Sequence, residues 1–508
     1  MHRKNFAVVY AGRVEDNRVV VIGSGPPAAA AAVFLRRAGI EVLVLEAGSE
    51  RAARGLTLRL RGLTVAKRRG PLVQRAGVSK TGDPDAQLFE DLSPGGLSNH
   101  WSCAVPRFSP DDFADAERAG AESTWPIGYD DLEPWYTQVE PLLHIAGSSL
   151  SKPQLPAGNV RHAWELSREW AALEEDAPRQ GRSVVAMPYA YGADTSLTWS
   201  GTAFNSFVRL IRPEQRKGGL TVRFGAHVQR LEWDAQKRRV AAVVFRDAES
   251  GREERITCRA VVLSAGTFNT PQVLLQSKSA DFPDGLGNTH GVLGRYLNDH
   301  PIAKIVLTLA SPIGIYPAAY ITRAALDRST PLYAAAGMQW SGAAIVAKGM
   351  LKGGRVGQSV STGFSVFGTM APDRENFIAL DPSVSGPNGT AGLRLHIRHP
   401  PEAAKALEEA RDQIVSLFAR AGFEPRVDVW RIEPVGNSNH YAGACRMHAS
   451  PEFGMLNAWG RMHVAPNLVV ADSSVFTTNP EKNPVLTSMT LAARASDRLA
   501  SELKSGDL

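Results

Sequence analysis

The chain has 508 residues, 44% of them hydrophobic and 21% charged, with a formal net charge of +6. That length exceeds one ordinary core and predicts two or three domains, and the balance is that of a globular protein. No run of about 20 apolar residues is present, so no helix is expected to span a bilayer. The one dense basic cluster, Lys67-Arg68-Arg69, has no interleaved aromatics, so no nucleic-acid partner is expected.

The first segment, Met1 to Asn17, carries charges and lacks the apolar stretch and cleavage site of a secretory signal. Cys103, Cys258 and Cys445 are odd in number and far apart. That argues against a disulfide framework and makes a reducing cytoplasm the expected compartment. Arg18 to Ile22 reads as a buried strand, Ala28 to Ala38 as an alanine-rich helix closed by Gly39, and Glu41 to Leu45 as a second strand. Residues 51 to 90 read as a long irregular excursion, either a lid or an oligomer contact, and residues 111 to 204 as a helical and loop insertion. Leu220 to Trp233 and Val240 to Arg246 alternate like two strands of a hairpin. Arg259 to Ser264 reads as a buried strand before a helix from Pro271 to Gln276. Residues 302 to 400 fit an antiparallel sheet with one wet face. Ala403 to Ala421 has helical spacing, Asn467 to Ala471 is a last strand, and Pro484 to Leu503 a closing helix.

The turn Gly23-Ser24-Gly25-Pro26-Pro27-Ala28 joins the first strand to the first helix. Gly23 permits the turn and Gly25 lets the backbone approach a pyrophosphate, which the helix N-terminus then faces with unpaired N–H groups. Glu46 ends the second strand about 20 residues on, where an acid accepts hydrogen bonds from ribose hydroxyls and disfavours a 2′-phosphate. This unit fits FAD or NAD equally.

Further segments resemble the glucose–methanol–choline (GMC) oxidoreductase family. Val42 to Gly48, with Glu46 and Ala47, resembles its ribose-binding segment. Gly95-Gly96-Leu97-Ser98-Asn99-His100-Trp101 resembles its flavin-facing loop. Val261 to Pro271, containing Ala265, resembles its second signature, although Ser277-Lys278-Ser279 replaces the usual Ser-Gly-Ile-Gly tail. Leu293 to Pro301, His440 to Met447, Asn467 to Phe476 and Asn483-Pro484 through Ala493 follow the family in order. The resemblance covers roughly the first 110 residues, residues 205 to 301 and the last 75. It implies an α/β fold: a Rossmann-like FAD domain made of residues 1–110, 205–301 and 430–508. Residues 111–204 and 302–429 would form a discontinuous substrate domain on an antiparallel sheet over the flavin.

The flavin-facing loop looks most like that of the pyranose oxidase and sugar oxidase branch, whose loop carries a histidine bonded covalently to the flavin. His100 falls on that position, beside Asn99 where the branch has threonine. The resemblance also implies that Val228 meets the adenine through its backbone. Asp472 would serve the ribityl or phosphate region, and Pro484 and Thr487 would lie at the flavin. It assigns His440 as the base and Asn483 as its partner on the substrate oxygen. Histidine suits the role because its ordinary pKa, about 6.5, lies near working pH.

The activity implied is FAD-dependent oxidation of an alcohol carbon of a sugar, glycoside or sugar-like polyol, an aminosugar included. Oxygen, a quinone or a carrier protein would take the electrons. A lyase of the same fold, of the hydroxynitrile-lyase type, is the alternative, and a nucleotide-binding protein without catalysis ranks last. The histidines at 396, 399 and 448, with Cys445, lack paired zinc-type spacing, so no metal is expected. No Gly-X-Ser-X-Gly elbow follows a strand, which argues against a hydrolase. Tryptophans at 125, 135, 164, 170 and 199 are candidates for stacking on a sugar.

Overall fold

A computed structural model describes residues 18–50, 52, 57–60, 63–67, 72–191, 201–202, 204–324, 335–340 and 358–508. Met1 to Asn17, Arg68, Arg69 and Trp199 lie outside them.

Val19–Ile22 and Val42–Glu46 are short, branched and buried throughout, the pattern of strands covered on both faces. They lie parallel inside a five-stranded sheet whose order is Leu220–Phe224, Val42–Glu46, Val19–Ile22, Ala260–Leu263 and Leu468–Val470. The helix Pro26–Arg37 opens on two prolines, which cost nothing in a first turn whose N–H groups are unpaired. Its run Ala28 to Ala32 is fully buried. Those small side chains let the C-terminal helix Val485–Ser505 pack against it through its own alanines. All five strands run the same way, so the turns after Ile22, Glu46, Leu263 and Val470 gather at one end. In an open parallel sheet this is where a ligand crevice forms.

A second, six-stranded sheet stands over that end. Its order is Val184–Ala186, Ala319–Ile321, Ala335–Trp340, Gln358–Gly368, Ile302–Gly314 and Arg426–Ile432, with antiparallel neighbours. The helix Pro401–Arg420 covers one face, burying Leu407, Ile414 and Phe418 against Ile305, Leu307 and Phe364. The fold is therefore the expected α/β architecture of a Rossmann-like sheet beside an antiparallel one.

Several expectations are corrected. Leu220 to Trp233 is two strands. Leu220–Phe224 joins the parallel sheet, and after Gly225 the chain restarts as Ala226–Asp234, paired with Arg239–Asp247. Alternation continues through the break, so spacing alone could not reveal it. Residues 51 to 90 are not wholly irregular: Thr57–Leu60 pairs with Leu63–Lys67, and Val78–Gly82 runs parallel to Ala391–Ile397. The face of the large sheet away from the helix is not open solvent throughout, because Ile302, Met338 and Phe367 line a cavity.

Four of the five candidate tryptophans serve packing. Trp170 is fully buried and donates to the Gly314 carbonyl (2.9 Å), while Trp125 is buried and donates to Thr478 Oγ1 (2.7 Å). Trp135 packs on Phe34 and Trp164 on Tyr316. None of these four lines the cavity; Trp101 does. Among the described residues no helix is long and apolar enough to cross a membrane.

Candidate active site

A single cavity of about 590 Å³ runs from the glycine turn of the parallel sheet to the face of the antiparallel one, within the usual size of cofactor and ligand sites. Gly23, Ser24, Gly25, Pro26, Pro27, Glu46 and Ala47 form one end, with Val228 and His227. Gly23 has φ +101, and a Cβ there would meet the Ser264 carbonyl oxygen at 2.4 Å. Gly25 is different: a Cβ would find no protein atom within 4 Å. Packing does not call for glycine at that point, and the open space leaves the backbone accessible to the close approach of a ligand. Glu46 is buried and accepts from the Gly48 N–H (2.6 Å) and the Ser24 hydroxyl. Burial raises its pKa, which the two bonds oppose.

The middle of the cavity is bounded by Gly96, Ser98, His100, Trp101, Ala265, Asp472 and Pro484. His100 Nε2 sits 3.0 Å from Asp91 Oδ2. Trp101 Nε1 donates to the Phe204 carbonyl (2.8 Å). Asp472 accepts from the Gly266 N–H (2.9 Å), Thr270 Oγ1 (2.6 Å) and the Ser474 N–H (2.9 Å). Its carboxylate thus ties three segments together at the cavity wall.

Two expected residues turn away. Asn99 is fully buried, donating to the Gly96 carbonyl (2.8 Å) and accepting from Asn205 Nδ2 (2.8 Å). Thr487 shares a hydrogen bond with the Tyr136 hydroxyl (2.7 Å). In helical order the next residue, Ser488, is the one that reaches the cavity. Both therefore shape the wall from behind.

His440 and Asn483, 43 residues apart, meet at the far end. Asn483 Nδ2 lies 3.1 Å from His440 Nε2. His440 Nδ1 lies 3.1 Å from Nδ1 of the fully buried His300. The ring of Phe367 stacks on His440 at 5.2 Å and 28°, so the imidazole is held on a face and an edge. The loop carrying it is anchored by Asp299, which accepts from the N–H groups of His440 (2.9 Å) and Gly436 (3.0 Å) and from Ser438 Oγ (2.5 Å). Burial raises the Asp299 pKa to about 6 against those bonds. The loop carrying Asn483 is held by its neighbour: Lys482 Nζ donates to Asp112 Oδ2 (2.5 Å) and lies 3.3 Å from Glu481.

Burial, then His300 and Lys304, push the His440 pKa well below 6.5. Burial lowers His300 to about 3. Both rings are therefore neutral at pH 7. One consistent tautomer assignment follows. If the Asn483 amide donates to His440 Nε2, then His440 Nδ1–H donates to His300 Nδ1. That leaves Nε2 as the basic nitrogen, facing the cavity beside an amide N–H.

Asp299, His300, Lys304 and Phe367 carry much of this arrangement without having been singled out by sequence. The family-like segment Leu293 to Pro301, which contains Asp299 and His300, was the available signal for the first two. Of the histidines weighed as metal ligands, His396 stacks on Phe377, His399 Nε2 lies 3.1 Å from the Asp299 carbonyl, and His448 accepts from the Ser450 N–H. Cys445 is buried in the core.

Residues 113–302 and 372–492 match two models described as GMC oxidoreductase, and residues 16–138 match one described as FAD binding domain. The chain is 27% identical to the 2-methyl-1,2-propanediol dehydrogenase of Mycolicibacterium austroafricanum, across 96% of this chain and 95% of that protein. It is 22% identical to the fructose dehydrogenase large subunit of Gluconobacter japonicus, across 96% and 98%. Pyridoxine 4-oxidase from Mesorbium loti shares the fold, with a TM-score of 0.62 at 16% identity over 95% of this chain and 99% of that one.

Proposed function

Since this chain belongs to the GMC oxidoreductase family, FAD enzymes acting on C–OH groups, we propose that its substrate is a sugar, glycoside or sugar-like polyol, with His440 as the base. The observation that carries this reading is the His440–Asn483 pair, 3.1 Å apart, at the end of a cavity that begins on a nucleotide-type glycine turn.

The residues present fit the cofactor. Gly23 to Pro27 would hold the pyrophosphate, Glu46 the ribose, Val228 the adenine side, and Ser98, His100 and Trp101 with Asp472 and Pro484 the flavin side. When bound, FAD supplies the acceptor for the hydride leaving the carbinol carbon. The protein supplies the rest. Neutral His440 takes the hydroxyl proton at Nε2. The Asn483 amide donates to the oxygen as its negative charge grows, a bond stronger in the transition state than in the ground state. Phe367 and His300 keep the ring from turning out of line, and the buried setting excludes competing water. Covalent attachment through His100 belongs to the same reading, with Asp91 holding the ring.

The test is a panel of sugars and glycosides mixed with the holoenzyme without oxygen, scored by loss of flavin absorbance. Productive substrates bleach the parent, and His440→Ala slows the bleaching by at least about a hundredfold. Equal bleaching by the variant refutes the assignment of the base.

A further inference from the structure

The reactive end of the cavity holds a charge that the proton transfer does not require. Lys304 lies on the strand Ile302–Gly314. Alternation sends Ala303, Ile305 and Leu307 into the helix-covered core and Ile302 and Lys304 to the cavity. Met338, Ser365 and Phe367 from the two neighbouring strands share that face. Lys304 is half-buried, and its Nζ donates to the neutral Ser365 hydroxyl at 2.6 Å. Among the described residues no carboxylate lies within 4 Å of it. Glu433, a counter-charge acting on it, is engaged by Arg431 (2.6 Å) and by Asn437 Nδ2 (2.9 Å). The carboxylates that line the cavity, Glu46, Glu90, Asp91 and Asp472, are each bonded to protein: Ser24, Arg75, His100 and Thr270 in turn.

A half-buried ammonium bonded only to a neutral hydroxyl, with the cavity's carboxylates already engaged elsewhere, is costly to keep. Burial lowers its pKa accordingly. We infer that Lys304 is the anchor for a carboxylate on the substrate, so that the polyol oxidised at His440 is a sugar acid of the uronate or aldonate kind. This rests on the reading of the site as sugar-oxidising and narrows it. A lone ammonium is a point charge suited to one carboxylate, whereas phosphate recognition favours the forked donors of arginine. The same charge disfavours an amino group at that position, and hence aminosugars.

The experiment titrates the oxidised holoenzyme with glucuronate, glucose, glucosamine and glucose 6-phosphate, following the perturbation of flavin absorbance. Glucuronate is expected to act at a concentration at least tenfold below glucose, and glucosamine above it. Lys304→Gln should bring glucuronate and glucose together, and Lys304→Arg should restore the gap. Glucose or glucosamine binding as tightly as glucuronate to the parent overturns the inference, without need of any variant. So does a gap that survives Lys304→Gln, or tighter binding of glucose 6-phosphate than of glucuronate. A Lys304-dependent glucuronate preference with no sugar able to bleach the flavin would sink the sugar-oxidising reading and leave the anion site. Bleaching by neutral sugars with no acid preference would do the reverse.

Discussion

Replacing Asn483 by leucine keeps the branched heavy-atom skeleton, at a larger volume, and removes the amide that faces His440. The substitution is local, because the segment before it is pinned by the Lys482–Asp112 pair (2.5 Å) and the segment after it by Ser488 Oγ donating to the Pro484 carbonyl (2.6 Å). In the resting site the amide makes a neutral hydrogen bond of 3.1 Å to His440. Losing such a bond costs about 1 kcal/mol, which limits any weakening of substrate binding to about fivefold. In the transition state the amide donates to an oxygen becoming an alkoxide, and losing one such donor costs about 2.7–4 kcal/mol, or 10²–10³ in rate. The loss should therefore fall on the chemical step. Stopped-flow flavin reduction without oxygen, run across substrate concentration, separates the limiting rate from the apparent Kd. A limiting rate within about threefold of the parent, or a loss confined to Kd, would refute the role given to this amide.

Other expectations follow from the same geometry. The His440 pKa is depressed well below 6.5 by burial, His300 and Lys304, and a base works unprotonated. The profile of kcat/KM should therefore stay level as pH falls from about 8 past 6.5, dropping only near the depressed value; an acid limb at 6.5 or above contradicts this. Gly23→Ala places a methyl group 2.4 Å from the Ser264 carbonyl at φ +101, so it should lower the thermal stability of the apoprotein. Gly25→Ala meets no protein atom and should leave apoprotein stability alone while weakening FAD binding in a fluorescence titration. Flavin that stays with the protein after acid precipitation, and is released from His100→Ala, would establish the covalent bond; flavin released from the parent excludes it.

The nucleotide end of the site was legible in the sequence because its signals are local. A glycine turn, two apolar strands, an alanine helix and an acid fall within about 30 residues, and the backbone leaves them one arrangement. The reactive end was legible only as motif matches, since His440 and Asn483 are distant in sequence and meet through tertiary packing. What escaped has physical reasons. Alternation in Ile302–Gly314 marks two faces without saying which one meets a ligand, so Lys304 carried no signal. The buried run at Asn298 to Pro301 looks like a polar loop until the fold encloses it. Asn99 and Thr487 sit one position from residues that do reach the cavity, a difference decided by helical phase. The tryptophans at 125 and 170 have the composition of a sugar platform and the packing of a core.

On the proposed reading of His440 as the base, the contact between the two imidazoles constrains the fate of the abstracted proton. Burial lowers the His300 pKa to about 3, which makes it a poor acceptor for a proton passed from His440 across the Nδ1–Nδ1 contact. With Phe367 fixing the ring, the imidazolium can discharge only on the side where it was loaded. That side stays blocked while the ketone or aldehyde remains in place. Product departure must then precede deprotonation of the base, and each turnover resets the enzyme in that sequence.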